Sequence, residues 1–192
     1  MRCSRCPAFL FILLVLLLPL SVDAFDDAPL AVAAAQYRQL IRDGRNPGGQ
    51  ASATLLQQAE KQARQKNHLD AITAYETAIA AGADQTAVWL ALSEIWQAQA
   101  QQQEQDSADY AIRQRSRDRT RQAAWNALQV ARIPAERARA LFRLGELYDQ
   151  DREPKKAMAA YREALELEDN PRIAKRYQEL VDAHAFQIKG VD

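Results

Sequence analysis

The chain of 192 residues is 48% hydrophobic and 26% charged, enough apolar material for one domain with a real core. Its 25 basic and 25 acidic side chains cancel, which argues against general nucleic-acid binding. Its two cysteines, Cys3 and Cys6, both lie ahead of the first apolar run.

Residues 1–24 carry the pattern of a secretory signal peptide. Arg2 and Arg5 make a positive start, Ala8–Leu20 is an unbroken apolar run, and Val22-Asp23-Ala24 resembles a small-residue cleavage site. The run is short for a spanning helix of about 20 residues, so membrane attachment is expected only if this segment stays uncleaved. No cysteine follows it, which argues against a lipoprotein anchor. Cleavage after Ala24 predicts an exported protein, periplasmic in a bacterium. It would also remove the Cys3-x-x-Cys6 pair, leaving neither a disulfide nor a thiolate site. Losing Arg2, Arg5 and Asp23 takes a net +1 from a total of zero and leaves the rest near −1.

Residues 25–50 read as a lead-in helix and loop. Residues 25–30 are expected to be disordered, as fresh N-termini often are. Ala31–Asp43 then reads as a helix with Ala33, Tyr37, Leu40 and Ile41 on one face and Gly44 at its end. Arg45-Asn46-Pro47-Gly48-Gly49 is a loop.

Residues 51–171 read as three helical hairpins. In the first, Leu56, Ala59 and Ala63 mark one helix and Ala71, Tyr75 and Ala78 the next, with Lys66-Asn67-His68 between them and Gly82 closing the pair. The second opens with Trp89, Leu92, Ser93 and Trp96, then turns almost wholly polar over 97–122 before Ala124, Ala127, Leu128 and Ala131 resume the apolar pattern. That insertion predicts a hairpin two to three turns longer than its neighbours, a protruding, solvated and mobile arm. Asp106-Ser107 is its expected tip, with Ser107 capping the returning helix. The third hairpin starts at Pro134. It reads Leu141-x-x-Leu144-Gly145-x-x-Tyr148, then the polar turn Asp149–Pro154, then Ala157-x-x-x-Tyr161-x-x-Ala164. Gly145 and Ala157 are small where two helices must approach closely, and Tyr148 and Tyr161 supply bulk.

Residues 172–185 suit a capping helix, with Ile173, Tyr177, Leu180 and Val181 on one face. Residues 186–192 then alternate apolar and polar, a strand period. A lone strand cannot satisfy its backbone, so the expectation is the start of a β domain that this chain lacks.

The small and large residues of 141–164 resemble a tetratricopeptide repeat, a hairpin of roughly 34 residues that needs neighbours to bury its apolar face. The resemblance implies an all-α, right-handed helical solenoid of about three hairpins plus flanking helices. It also implies a protein or peptide partner held on the concave face. The positions it would expose there are Leu90, Glu94 and Gln97 in the second hairpin and Arg139, Phe142, Arg143 and Glu146 in the third, with Lys61 and Arg64 in the first. Phe142 is the expected anchor, an aromatic outside the core pattern beside Arg139 and Arg143. The Asn and Lys arrangement with which some family members clamp a C-terminal carboxylate is absent.

A wider resemblance follows the order of motifs: a signal peptide, the loop Asn46-Pro47-Gly48-Gly49, a degenerate hairpin, Val88-Trp89-Leu90-Ala91-Leu92, Gln122-Ala123-Ala124-Trp125, a good repeat, and Phe186-Gln187-Ile188. This order is similar to the N-terminal helical region of proteobacterial α2-macroglobulin-like proteins, which precedes protease-trapping β domains. The chain has neither a bait region nor a thioester motif, so the resemblance implies a front end rather than the inhibitor. The alternative is a complete small periplasmic adaptor or assembly factor.

No catalytic constellation emerges. His68 sits in a turn and His184 near a helix end, without a second histidine or cysteine at ligand spacing. Nucleotide-binding, serine-hydrolase and zinc-protease motifs are missing, so neither an enzyme, a metal site nor a cofactor is expected. Arg113, Arg115, Arg117, Arg119 and Arg121 step about 200° apart on a helix and form no single stripe. They read as a solvated surface, supported by an Asp109–Arg113 pair. Trp89 and Trp96 fall on core positions, whereas Trp125 lies one residue off the alanine face.

Overall fold

The computed structural model describes residues 27–44 and 51–189, the side chains through residue 183. The expected signal peptide, the loop at 45–50 and the last three residues lie outside the described residues. Among the described residues the secondary structure is wholly helical. In order the helices are α1 (Ala28–Asp43), α2 (Ser52–Arg64), α3 (His68–Ala80), α4 (Thr86–Gln105), α5 (Tyr110–Val130), α6 (Pro134–Gln150), α7 (Pro154–Leu167) and α8 (Pro171–Lys189). Proline opens α6 and α7, where its missing N–H costs nothing and its fixed φ suits the first turn. From α2 onward each helix packs on its successor, which gives the all-α solenoid of hairpins α2–α3, α4–α5 and α6–α7, closed by α8.

The hairpin registers follow the apolar spacing. Trp89, Leu92 and Ser93 of α4 are buried, as are Leu141, Leu144, Gly145 and Tyr148 of α6 and Ala157, Tyr161 and Ala164 of α7. A Cβ on Gly145 would stand 2.3 Å from Tyr161 Cε1, so the ring occupies the space a side chain would need. In α2 the deep residue is Leu55, with Leu56 half-buried beside it.

Each hairpin turns through the same device. Lys66, Ser107 and Arg152 take φ values of 61°, 53° and 60°. The N–H of the following residue reaches back across the helix end, as in Asn67 to Gln62 O at 3.0 Å and Glu153 to Tyr148 O at 2.8 Å. This is the left-handed C-cap usually given to glycine. Gly82, at φ 103°, supplies it between the first and second hairpins.

The second hairpin is the long one. Helices α4 and α5 run to 20 and 21 residues, against 13 each for α2 and α3. The tip falls at the expected place, but Ser107 does not cap α5. Its left-handed backbone finishes the turn, and Asp109 caps instead, accepting from the Ala111 N–H at 2.8 Å. The expected Asp109–Arg113 pair is not among the ion pairs of the described residues. The arm protrudes less than expected because α1 packs along α5. With neighbours on several sides, Ala123, Ala124, Trp125, Asn126, Ala127 and Leu128 are all buried, and Trp125 joins the core despite its off-face position.

Helix α1 departs most from expectation. It begins at Ala28, and Asp27 is anchored rather than free. Asp27 accepts from the Tyr148 hydroxyl at 2.8 Å and from Lys156 at 3.0 Å. The buried face is Ala34, Tyr37 and Ile41, while Leu40 stays 62% exposed. Asn126 donates to Ala34 O at 2.9 Å from α5. At the other end, Arg38 and Arg42 both reach Asp84, which also accepts from Trp89 Nε1 at 2.7 Å. Thus α1 lies against α3 and α5 and touches all three hairpins.

The strand expected over 186–191 is not formed where the chain is described. Phe186–Lys189 continue α8 as helix. With no partner strand at hand, a further helical turn satisfies these backbone groups internally.

Candidate protein-binding face

The expected face lies on α4 and α6, which pack side by side. Glu94 and Arg139 are exposed, and Leu90 is half-buried against the core. Arg139 makes a local bond from Nε to Ala135 O at 3.1 Å. In the first hairpin, Lys61 and Arg64 are exposed, Arg64 lying 3.8 Å from Glu60.

Arg143 is placed differently. It is 9% exposed, wedged between α6 and α4. Nε donates to Ser93 Oγ at 3.2 Å and Nη2 to Gln97 Oε1 at 2.7 Å, while Ser93 Oγ donates to Thr120 O at 3.0 Å. Glu146 stands 3.8 Å away. Burial pushes the guanidinium pKa down from its ordinary value, and Glu146 and Glu94 pull it partly back. Gln97 also donates to Gln150 Oε1 at 2.6 Å. Arg143 and Gln97 therefore join the hairpins, and their donors are spent inside the protein. Ser93 holds the position that Gly145 holds in the next hairpin. A hydroxyl there has a partner to satisfy, which glycine would not.

Phe142 is half-buried rather than a bare anchor. Its ring packs on Tyr161, centroids 5.6 Å apart, and the Arg172 guanidinium of α8 lies over it at 4.9 Å. Arg172 also donates to Glu146 Oε1 at 3.1 Å. The capping helix has thus laid a cation over the aromatic, a favourable use of its electron-rich face. What remains open on α4 and α6 is Glu94 and Arg139, with Leu90 and Phe142 half-buried.

Sequence reasoning placed the carboxylates on solvated helix faces and so missed three that hold α1. Asp84 is one signal that was legible: it follows Gly82-Ala83 in a connection, off any helix face. Burial opposes its charge, but hydrogen bonds from Arg38, Trp89 and Arg42 outweigh that and hold its carboxyl below the usual range. Asp27 is held down in the same way by Lys156 and Tyr148 against burial. Glu76 goes the other way. It accepts from the Tyr37 hydroxyl at 2.5 Å, and burial raises its pKa despite that bond and nearby Arg119. Trp96 Nε1 in turn donates to Tyr37 Oη at 2.9 Å.

Among the described residues, no group of three or more His, Cys, Asp or Glu could hold a metal ion, and no helix is long and apolar enough to cross a membrane. The polar clusters described here bind helix to helix.

The small Gly145 against Tyr161, set between two prolines that open helices, is the geometry of one particular hairpin. Residues 138–171 match the tetratricopeptide repeat. The match runs from Ala138 in α6 through α7 to Pro171, the start of α8. No curated protein matches the chain. Tetratricopeptide repeats generally act as non-catalytic scaffolds that bind other proteins, and this repeat stacks on two further hairpins of the same turn geometry.

Proposed function

We propose that this chain is an exported, non-catalytic tetratricopeptide module that binds a protein or peptide along α4 and α6. The observation that carries the reading is the matched repeat, whose first helix leaves Arg139 exposed, as α4 of the preceding hairpin leaves Glu94. Exposed charges of opposite sign on these helices suit a peptide with charges of both signs, each set against its complement. Export rests on the N-terminal charge and hydropathy pattern, and periplasmic location follows from it.

The order of motifs supports a place at the front of an α2-macroglobulin-like, protease-trapping protein. The helical course of Phe186–Lys189 removes the strand onset that contributed to that order, and this favours the second reading, a small periplasmic adaptor or assembly factor. Both readings share the binding face and differ in what the face serves.

The test is capture of partners by tagged protein from a periplasmic fraction, with mass spectrometry of the bait. The expected bait begins at Phe25, and a specific partner is retained by the wild type but lost with Glu94→Lys plus Arg139→Glu. Both positions are exposed, and because Glu94 also faces the buried Arg143, the melting temperature of the double variant is measured beside the capture, where a loss of fold would appear. A bait that keeps Met1 overturns export, and a partner kept at full strength by the double variant overturns the face.

A further inference from the structure

Helix α8 places a side chain of its own on the proposed binding face. Phe142, Glu146 and Asp149 of α6 stand at i, i+4 and i+7, so they share one helix face. Arg172, in the first turn of α8, lies across the first two. Its guanidinium carbon is 4.9 Å from the Phe142 ring centre, and Nη2 donates to Glu146 Oε1 at 3.1 Å. A guanidinium set over an aromatic ring and hydrogen-bonded to a carboxylate is a common way of recognising arginine. Here the chain supplies the arginine itself, from a side chain that is 75% exposed.

The charges around the ring call for one cation. Glu146 also faces Arg143 at 3.8 Å, but that guanidinium is buried, bonded to Ser93 and Gln97, and shared with Glu94. Asp149 is half-buried and enters no ion pair among the described residues. Arg176, the next arginine of α8, pairs with Glu179 at 3.1 Å, and Arg139 bonds back to Ala135 O. Burial pushes the pKa of the Tyr161 hydroxyl up, Asp149 and Glu146 raise it further, and Arg176 and Arg172 pull it back. Both carboxylates therefore act on the ring that Phe142 packs against. With Arg172 removed they would be left with one buried arginine, which already serves Glu94.

Arg172 is a weakly held occupant. An exposed ion pair and an exposed cation–aromatic contact each contribute little. The guanidinium can swing away without disturbing α8, whose start is fixed by Pro171 and by the Arg172 N–H donating to Asn170 Oδ1 at 3.0 Å. The helix is seated on the repeat through Ile173, which is buried.

We propose that Phe142 and Glu146 form an arginine subsite at the α8 end of the binding face, and that Arg172 is an autoinhibitory stand-in which a partner's arginine displaces. This rests on the proposed binding of a peptide along α4 and α6, and it adds what that peptide must carry. Once the rest of the peptide is bound, its arginine competes with Arg172 as one intramolecular contact against another.

NMR titration of the purified protein with the N-acetyl methylamides of arginine, lysine and citrulline tests this. In Arg172→Ala the arginine compound is expected to shift the amides of 142–149 saturably. In the wild type it should bind about fivefold more weakly, the scale of one exposed ion pair plus one exposed cation–aromatic contact. Lysine should bind less well than arginine, and citrulline, which has the shape without the charge, should not bind. Adding Glu146→Gln to Arg172→Ala should abolish the shifts. Arg172→Gln, which keeps the length of the side chain, is expected to behave as Arg172→Ala does, and both should melt as the wild type does. The proposal is overturned by no saturable shift in Arg172→Ala, by equal affinity in the wild type, by equal binding of citrulline or lysine, or by shifts that survive Glu146→Gln. It is overturned too if both Arg172 variants melt well below the wild type, because Arg172 would then be holding α8 in place. Arginine binding without any captured periplasmic partner would uphold the subsite and sink the peptide-binding reading. A partner captured equally by wild type and Arg172→Ala, with no arginine binding, would do the reverse.

Discussion

Gly145 shows how closely the third hairpin is fitted. With Tyr161 Cε1 2.3 Å from the space a Cβ would take, Gly145→Ala forces the buried ring to move. Alanine gains up to about 1 kcal/mol in helix propensity, but overpacking a fitted site costs about 1–3 kcal/mol. The expected net is a loss of about 1–2 kcal/mol in urea unfolding, and a stabilised variant would mean that the helices sit further apart. Glu76 makes a prediction of the opposite sign. Its folded pKa is raised, so the fold holds the proton more tightly than the unfolded chain does. Its contribution to stability is therefore full at low pH and lost as pH rises from the unfolded value, about 4.3, through the folded one. A glutamine at this position could still accept from Tyr37 without a charge to bury. The melting temperature of Glu76→Gln relative to wild type should climb between pH 4 and 7, with Asp27 and Asp84 common to both proteins and cancelling. A flat difference would mean that Glu76 is better solvated than its surroundings imply. At this scale the sequence was readable wherever a residue's role depends on spacing along its own helix, as for Tyr75, Leu144 or Ala164. It placed Arg143 on the exposed concave face, because nothing local says that Ser93 of another hairpin lies against it and buries it.

Among the helices, α1 is held by polar clamps as much as by its apolar face. Asp84 gathers Arg38, Arg42 and the indole N–H of Trp89. Asp84→Ala leaves that indole, in a residue fully buried, without an acceptor and frees two guanidinium groups. A bond to a charged group and an unsatisfied buried donor together put the cost at roughly 3 kcal/mol. Urea unfolding with a loss below 1 kcal/mol would show that α1 is held by packing alone. The hairpins themselves were visible from their periodicity, and the overlong second one from the gap between Trp89 and Leu141. The turns were visible only as polar breaks, because Lys66, Ser107 and Arg152 adopt a backbone that glycine would have announced. The seat of α1 was not visible at all. Its face pattern allows several packings, and Leu40 was assigned inward because it sits beside Ile41, where a helix turned by a third of a turn leaves it outside.

A linear array of repeats ordinarily owes its stability to nearest neighbours alone, so it can fray one unit at a time. Here Asp27 bonds to Tyr148 and Lys156, across 121 and 129 residues of chain, while Tyr37 donates to Glu76 and so joins the same helix to the first hairpin. The array is tied end to end. Opening either terminal hairpin must break contacts that also secure the other, so local fraying is converted into a global event. The molecule should then lose its amide protection in one concerted step, with hydrogen exchange in α3 and α7 reporting nearly the same opening free energy. The same tie delays assembly, since its most distant contacts close only after about 120 intervening residues have been ordered, and folding should be slow for an all-helical chain of this size.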